Sequence, residues 1–328
     1  MGSLPTERLT TGPPFNNVMI DLFGPYIVRG EKQTRTLSKA YGVIFTDISS
    51  RAAHIEAVFG YDSNSFLLAL TRFVNIRGWP SKIYSDPGTQ LAGAEKELKE
   101  MWRRMDKGPI KKTSTENGLQ WEFGPGDSPW YQGAAESLIK AVKRCFTFSM
   151  SNRRLSPTEF LTICTEAANT LNERPLGLLP DSDSEINILT PNCQLIGRPF
   201  IKNPGSWNTD YSLRGRLALV NTVSDDFWRK WTELYAPTLI HHQKWHTPRR
   251  NFQVGDVVVV MDPNQLRNQY KLARVHQVYP SKDGVVRKVA LSYKNYKVAG
   301  KLRDYVGCKD TIITRSVHRL ALLTEVNP

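Results

Sequence analysis

Two periods of hydrophobic and polar positions run through the chain, and the points where one replaces the other predict its elements. Asn17 to Pro25 (NVMIDLFGP) reads as a short apolar strand that reaches Asp21 and then turns. Lys39 to Ser50 (KAYGVIFTDISS) and Arg51 to Val58 (RAAHIEAV) are two further runs of strand formers, so a three-stranded meander is expected. The period then becomes helical. Asp62 or Ser63 supplies an N-cap, Phe66, Leu67, Leu70, Phe73 and Val74 form one stripe, and Gly78 and Pro80 stop the helix. Ser81 to Ser85 is a short strand that delivers Asp86 at its end. Ala92 to Met105 has a helical pattern, Lys107 to Gly118 is a polar loop, and Leu119 to Phe123 alternates like a fifth strand. Two helices follow, over Gln132 to Met150 and over Pro157 to Arg174, the latter with Phe160, Ile163, Ala167 and Leu171 in its stripe.

The order βββ-α-β-α-β-α-α predicts an α/β fold, a mixed five-stranded sheet flanked by helices. Pro175 to Asn221 is punctuated by Pro, Gly, Asp and Asn and reads as a connector, and Asp225 to about His246 as a helix with Phe227, Trp228, Trp231, Leu234 and Tyr235 on its apolar side. After Pro248 the texture changes to short strands, Asp256 to Met261, Lys271 to Tyr279, Val285 to Tyr293 and Thr311 to Leu323, a spacing that predicts a small β-barrel. The expected organisation is a lead at 1–14, the α/β core at 15–200, a connector and helix at 201–248, and a β domain at 249–328.

Charge sharpens this division. The chain of 328 residues has a net charge of +13. Residues 1–200 hold 23 Lys and Arg against 21 Asp and Glu, whereas residues 201–328 hold 21 against 10. A nearly neutral first part joined to a basic second part fits a reaction module attached to a module that grips nucleic acid. No run approaches the ~18 apolar residues of a membrane span, and Met1 to Pro14 lacks the apolar centre of a secretory signal. The expectation is a soluble intracellular protein with no membrane partner. Cys145, Cys164, Cys193 and Cys308 are too scattered for a zinc finger or a disulfide framework and read as small buried hydrophobes, so no zinc is expected.

Three carboxylates carry the candidate chemistry. Attack on a phosphodiester is eased by two Mg²⁺ or Mn²⁺ ions, one activating the nucleophile and one stabilising the leaving oxygen, and such hard ions take oxygen ligands. Asp21 and Asp86, each at the end of a strand, can supply two of them. A lone aspartate at a strand end is ordinarily a turn residue, and only the set of carboxylates reverses that reading. For the third, Glu122 and Glu136 lie 35 and 49 residues beyond Asp86, counting those between. Glu122 sits in the alternating run Leu119-Gln-Trp-Glu-Phe, where it reads as the solvent side of a strand. Glu136 opens a helix on which Glu136, Lys140, Lys143 and Arg144 share one arc, while Ala135, Ile139, Val142 and Phe146 share another. Lys140 at i+4 can pair with Glu136; three cations beside a metal carboxylate also suit a DNA backbone.

With these residues in place, the chain resembles the integrases of long-terminal-repeat retroelements, more closely those of the Pao/BEL group. The blocks that carry the resemblance are Pro13-Pro-Phe, Asp21-Leu-Phe-Gly-Pro, Tyr41-Gly-Val-Ile-Phe-Thr, Arg51-Ala-Ala-His-Ile-Glu, Phe73, Arg77-Gly, Ser85-Asp-Pro-Gly-Thr, Gly93-Ala-Glu-Lys-Glu-Leu and Gly133-Ala-Ala-Glu, in that order. The resemblance implies a ribonuclease-H-like fold in which Asp21, Asp86 and Glu136 form the catalytic, metal-binding triad, followed by a small SH3-like barrel. It implies a polynucleotidyl transferase that removes nucleotides from the 3′ ends of element DNA and joins those ends to target DNA. Double-stranded DNA would be the substrate, with no small-molecule substrate, two Mg²⁺ or Mn²⁺ ions the cofactor, a homo-oligomer the assembly and the nucleus the site of action. Lys140 and Lys143 match positions that the family sets against DNA, and Arg144, Arg249 and Arg250 are further candidate DNA contacts. The 35-residue interval to Glu122 matches the D,D-35-E pattern of integrases, but helix context selects Glu136. Pro87 stands where the family usually has Asn, and Gln90-Leu91 where Asn-Phe is common. The His/Cys zinc domain that usually precedes the core is expected to be missing. Those departures leave a second expectation, a decayed or host-recruited copy that binds DNA without chemistry.

Two sets of aromatic and histidine residues have plainer readings. His241, His242 and His246 lie next to basic residues with no Cys or carboxylate close by, and fit a helix end better than a metal site. His54 reads as a surface or packing histidine, Trp228 and Trp231 as the core face of a helix, and Val257 to Val260 as a buried strand.

Overall fold

The computed structural model describes residues 12–30, 35–60, 63–85, 120–123, 133–151, 153–178, 188–197, 215–235, 250–261, 267, 270–295, 298–299, 304–305 and 309–325. The expected helix at Ala92 to Met105, the loop at Lys107 to Gly118 and the three histidines at 241, 242 and 246 lie outside these residues. The chain divides into two compact units. One comprises Met1–Asn172, Gln194–Arg198 and Thr209–Lys230; the other comprises Glu173–Cys193, Pro199–Asn208 and Trp231–Pro328.

In the first unit five strands, β1 (Asn17–Arg29), β2 (Leu37–Asp47), β3 (Ala53–Val58), β4 (Lys82–Ser85) and β5 (Gln120–Phe123), form one sheet in the order β3-β2-β1-β4-β5. β2 is antiparallel to β1 and β3, whereas β4 runs parallel to β1 and β5 parallel to β4. The crossover from β3 to β4 is made by α1 (Ser63–Arg77), and α2 (Gly133–Ser149) and α3 (Pro157–Asn172) follow β5. This is the mixed five-stranded sheet flanked by helices that the element order predicts, a ribonuclease-H-like arrangement.

Strand β1 departs from expectation. It does not stop after Asp21 but runs thirteen residues, and its register with β2 shifts between Phe23 and Tyr26. Gly24 takes φ +114 at that shift, so the Gly-Pro pair makes a bulge rather than a turn. β1 is central and covered on both faces, so its apolar residues form a nearly continuous run. Val18, Ile20 and Leu22 pack with Phe66, Leu70 and Phe73 of α1 in one core cluster. Asp21 and Phe23 point the other way, toward α2, because side chains alternate along a strand. Gly42 of β2 has no side chain because the Phe23 ring fills that space: a Cβ there would lie 2.1 Å from Phe23 Cζ. The ring of Phe146 on α2 lies 4.7 Å from that of Phe23, and further ring contacts join Tyr26, Phe160 and Phe227.

The stripes read from the sequence are buried as expected: Ile139, Val142 and Phe146 on α2, and Phe160, Ile163, Ala167 and Leu171 on α3. His54 is a packing histidine. It is buried beside the stacked rings of Phe45 and Phe73 and hydrogen-bonded to Glu56 at 3.1 Å. Burial works against the charge on Glu56, but hydrogen bonds from His54 and Arg72 outweigh it and hold the carboxyl below its ordinary range.

The segment read as connector carries structure of its own. β6 (Gly177–Leu178) pairs with β7 (Ile188–Leu189), and α4 (Pro191–Ile196) follows. The next helix, α5 (Arg216–Tyr235), begins nine residues ahead of Asp225, where the pattern predicts it to start. Val220 and Val223 extend the buried stripe of Phe227 and Trp231 toward the N-terminus, and the polar residues Asn221, Thr222 and Ser224 between them mask the period. Trp228 and Trp231 are buried, as expected.

In the second unit, β8 (Val257–Val260), β9 (Lys271–Pro280), β10 (Val286–Asn295), β13 (Lys309–Ser316) and β14 (Leu320–Thr324) form an antiparallel sheet in the order β13-β10-β9-β8-β14. A two-residue pair, β11 (Val298–Ala299) with β12 (Asp304–Tyr305), lies between β10 and β13 in the chain. The run expected from Thr311 to Leu323 is thus two strands, divided by a 3-10 turn at Val317–Arg319. Val258, Val260, Ala273, Val275, Val289 and Leu291 make the small core of this β domain.

Candidate active site

Asp21 and Asp47 lie on paired strands and show how one residue type is put to two uses. Asp47 is buried, and its carboxylate accepts from Phe15 N at 3.1 Å, Ser49 Oγ at 2.8 Å and Ser50 N at 2.6 Å, with a further bond from the Ser50 hydroxyl. Its oxygens are filled by the turn that it builds. Asp21 is about one-fifth exposed, and its Oδ2 meets Lys143 Nζ of α2 at 2.9 Å. Oδ1 accepts from the backbone of Leu22 at 2.7 Å.

Strand register reaches the residue before the second carboxylate in sequence. Ile20 of β1 is the Cα partner of Ser85 of β4 in a parallel pair. Asp21 and Asp86 are the residues that follow these partners, and β4 ends at Ser85. Asp86 itself, with Pro87, lies outside the described residues. Glu122 is in β5 opposite Tyr84 of β4, and its side chain is not among those described.

Glu136 lies in the first turn of α2, its side chain likewise not among those described. The α2 face that carries Lys143 is the one that meets Asp21. Lys140 and Arg144 are exposed on α2. What fixes this face on the sheet is the contact of Phe23 with Phe146, two residues beyond Asp21 and three beyond Lys143. The sequence pattern does not single out Phe23 or Gly42; the only signal is a glycine in an otherwise bulky strand, facing an aromatic in the strand before it.

Arg250 has a partner of its own. Its guanidinium grips the buried Asp256 carboxylate with two bonds, 2.9 and 3.0 Å, and donates to Gln253 Oε1 at 3.0 Å. That hydrogen-bonded partner raises the pKa of Arg250. The same Asp256 accepts from Gln253 N at 2.8 Å, so Arg250 closes the turn leading into β8. Arg249 lies outside the described residues. Among the described residues no group of three or more His, Cys, Asp or Glu side chains is close enough to hold a metal ion. A divalent site would use Asp21 with Asp86 and Glu136, whose side chains are outside those described. The donor chemistry of Asp21 fits such an ion: it is a hard oxygen ligand, partly open to solvent, on a strand locked at the centre of the sheet.

Comparison with known proteins gives the following likenesses. Residues 215–323 match a family of unknown function (DUF5641). No curated protein matches the chain. Among solved structures, the chain is similar to one from the simian T-cell lymphotropic virus intasome in complex with PP2A regulatory subunit B56 gamma, at 11% identity and a TM-score of 0.36 over 99% of this chain and 84% of that one. It is also similar to the catalytic core domain of HTLV-2 integrase in complex with magnesium, at 13% identity and a TM-score of 0.31 over 54% of this chain and 94% of that one. The third is the catalytic core domain of BIV integrase, at 11% identity and a TM-score of 0.35 over 56% of this chain and 95% of that one. These neighbours are retroviral integrases or their catalytic cores; at such scores the fold of the present chain rests on its own strand order and register.

Proposed function

We propose that this protein is a polynucleotidyl transferase of retroelement-integrase type, of the Pao/BEL group, which processes the 3′ ends of element DNA and joins them to target DNA. One observation supports the reading: the Asp21–Lys143 contact ties a partly exposed carboxylate at the centre of the sheet to α2, the helix in whose first turn Glu136 stands. Asp21, Asp86 and Glu136 would hold the metal, and the two divalent ions supply, when bound, activation of the attacking oxygen and neutralisation of the leaving one. The chain's own residues do the rest. Lys143 balances the Asp21 charge in the protein alone and turns to a phosphate oxygen when the DNA backbone arrives. Lys140 and Arg144 hold the same backbone along α2. The basic β domain adds phosphate contacts that carry no sequence information. DNA ends and target act as double-stranded substrates in a homo-oligomer, and the reaction belongs in the nucleus.

Titration of Mn²⁺ by calorimetry tests the metal assignment. The full chain should bind Mn²⁺, and Asp21→Asn, Asp86→Asn and Glu136→Gln should each weaken binding at least about tenfold without unfolding the protein, whereas Glu122→Gln should not. Loss confined to Glu122→Gln would move the third ligand to β5.

A further inference from the structure

The basic face of α2 does not end at Arg144. One more step along the same i, i+4, i+8 row comes Phe148, which is 43% exposed although the neighbouring Phe146 is fully buried. Two cations of α5 attend its ring, Arg229 with Cζ 5.6 Å and Lys230 with Nζ 5.5 Å from the centroid. Arg229 is mostly exposed and also pairs with Asp226, whose second partner is Arg153. Asp226 is thus matched by two guanidiniums. All these residues lie in the first unit.

An exposed aromatic ring flanked by cations has a specific use on nucleic acid. Every base has a π-face that an aromatic ring can stack on, while cations beside it take the phosphates on either side. Inside a duplex both faces of a base are already covered by its neighbours, so such a ring can serve only a nucleotide that is out of the stack. A duplex read by backbone contacts alone needs Lys140 and Arg144 but has no use for an open phenyl ring. We propose that the row Lys140–Arg144–Phe148, with Arg229 and Lys230, is a site for unpaired nucleotides: Lys140 and Arg144 hold the backbone leading from the Asp21 region, Phe148 stacks one unpaired base, and Arg229 and Lys230 hold its flanking phosphates. The proposal rests on the DNA reading above and adds the class of DNA that α2 takes, a strand end freed from its complement. The base stacks on the open part of the ring, and the cation contacts that bridge α2 and α5 remain.

The test uses the full chain and two DNAs, a blunt duplex and the same duplex with a short unpaired strand at one end that carries 2-aminopurine. Stacking on an aromatic ring quenches 2-aminopurine fluorescence, a signal that a purely structural role of Phe148 would not produce. The native chain should quench the probe and bind the tailed duplex more tightly than the blunt one. Phe148→Ala should abolish the quenching and lose at least about fivefold in affinity for the tailed duplex, with blunt binding unchanged. Phe148→Trp should restore both. Arg229→Gln with Lys230→Gln should weaken the tailed duplex selectively. Equal loss on the two DNAs, or quenching that survives Phe148→Ala, overturns the site while leaving the DNA reading intact. Failure of the native chain to bind either DNA overturns both.

Discussion

Carboxylates in this chain are sorted by what fills their oxygens. Asp47 and Asp256 are buried and bonded on both oxygens by donors that build turns. Asp256→Ala should therefore act on stability, removing a buried charge-assisted pair with Arg250 and orphaning Gln253 N, a loss of about 2 kcal/mol in chemical denaturation of the β domain. Glu173 behaves differently. Burial pushes its carboxyl up to about 7, against the partial opposition of a hydrogen bond from Asn192. Its folded pKa lies above its unfolded value, so the stabilisation it gives is complete below about pH 4.5 and is lost as pH rises through about 7. Melting temperature should fall between pH 5 and pH 8 more steeply in the native chain than in Glu173→Gln. Parallel curves would remove Glu173 from the account. Asp21 belongs to neither class: it is partly exposed, and its visible side-chain counter-ion is a lysine long enough to swing away. The sequence shows Asp21, Asp47 and Asp256 alike as aspartates in or beside strands. Which of them is spent on a turn depends on donors brought by folding, such as Phe15 N, and cannot be read from local pattern.

Elements built on strong periodicity were legible in the chain. The five strands of the sheet, the stripes of α1, α2 and α3 and the first three strands of the β domain follow from the pattern of apolar and polar positions. Errors fell where a second rule overrode the first. Gly24-Pro25 reads as a turn, yet a register shift carries β1 on for six residues beyond Phe23, because pairing with β2 resumes at Tyr26 and Ala40. α5 starts earlier than its polar residues imply because Val220 and Val223 are buried. The site depends on such element-scale contacts. The fit of Phe23 over Gly42 and against Phe146 holds α2 where Lys143 reaches Asp21. Gly42→Ala would drive a methyl into the Phe23 ring, and should cost about 1–3 kcal/mol of stability. It should also weaken Mn²⁺ binding, since the same displacement moves the helix that bears Glu136. Unchanged metal affinity in a destabilised Gly42→Ala protein would separate packing from site geometry.

For the whole molecule, the uneven charge of the chain predicts how it meets DNA. The excess of basic residues beyond residue 200 makes binding depend on counter-ion release, so the logarithm of affinity should fall linearly with that of salt. Lys282, Lys288 and Arg319 are exposed in the β domain. Replacing all three by Gln should reduce the magnitude of the salt slope by about 0.9 for each phosphate that is no longer neutralised, at both specific and random sequences. An unchanged slope would place the phosphate-binding cations elsewhere. Chemistry remains the central claim, and the reverse reaction isolates it from the assembly of two DNA ends. Incubated with a branched integration intermediate and Mn²⁺, the native chain should release the joined strand and reseal the target, while Asp21→Asn, Asp86→Asn and Glu136→Gln, still folded and still binding DNA, should each lose at least about 100-fold in rate. A native chain that binds the branched DNA and Mn²⁺ but releases nothing, or an Asp21→Asn variant with native activity, would contradict it.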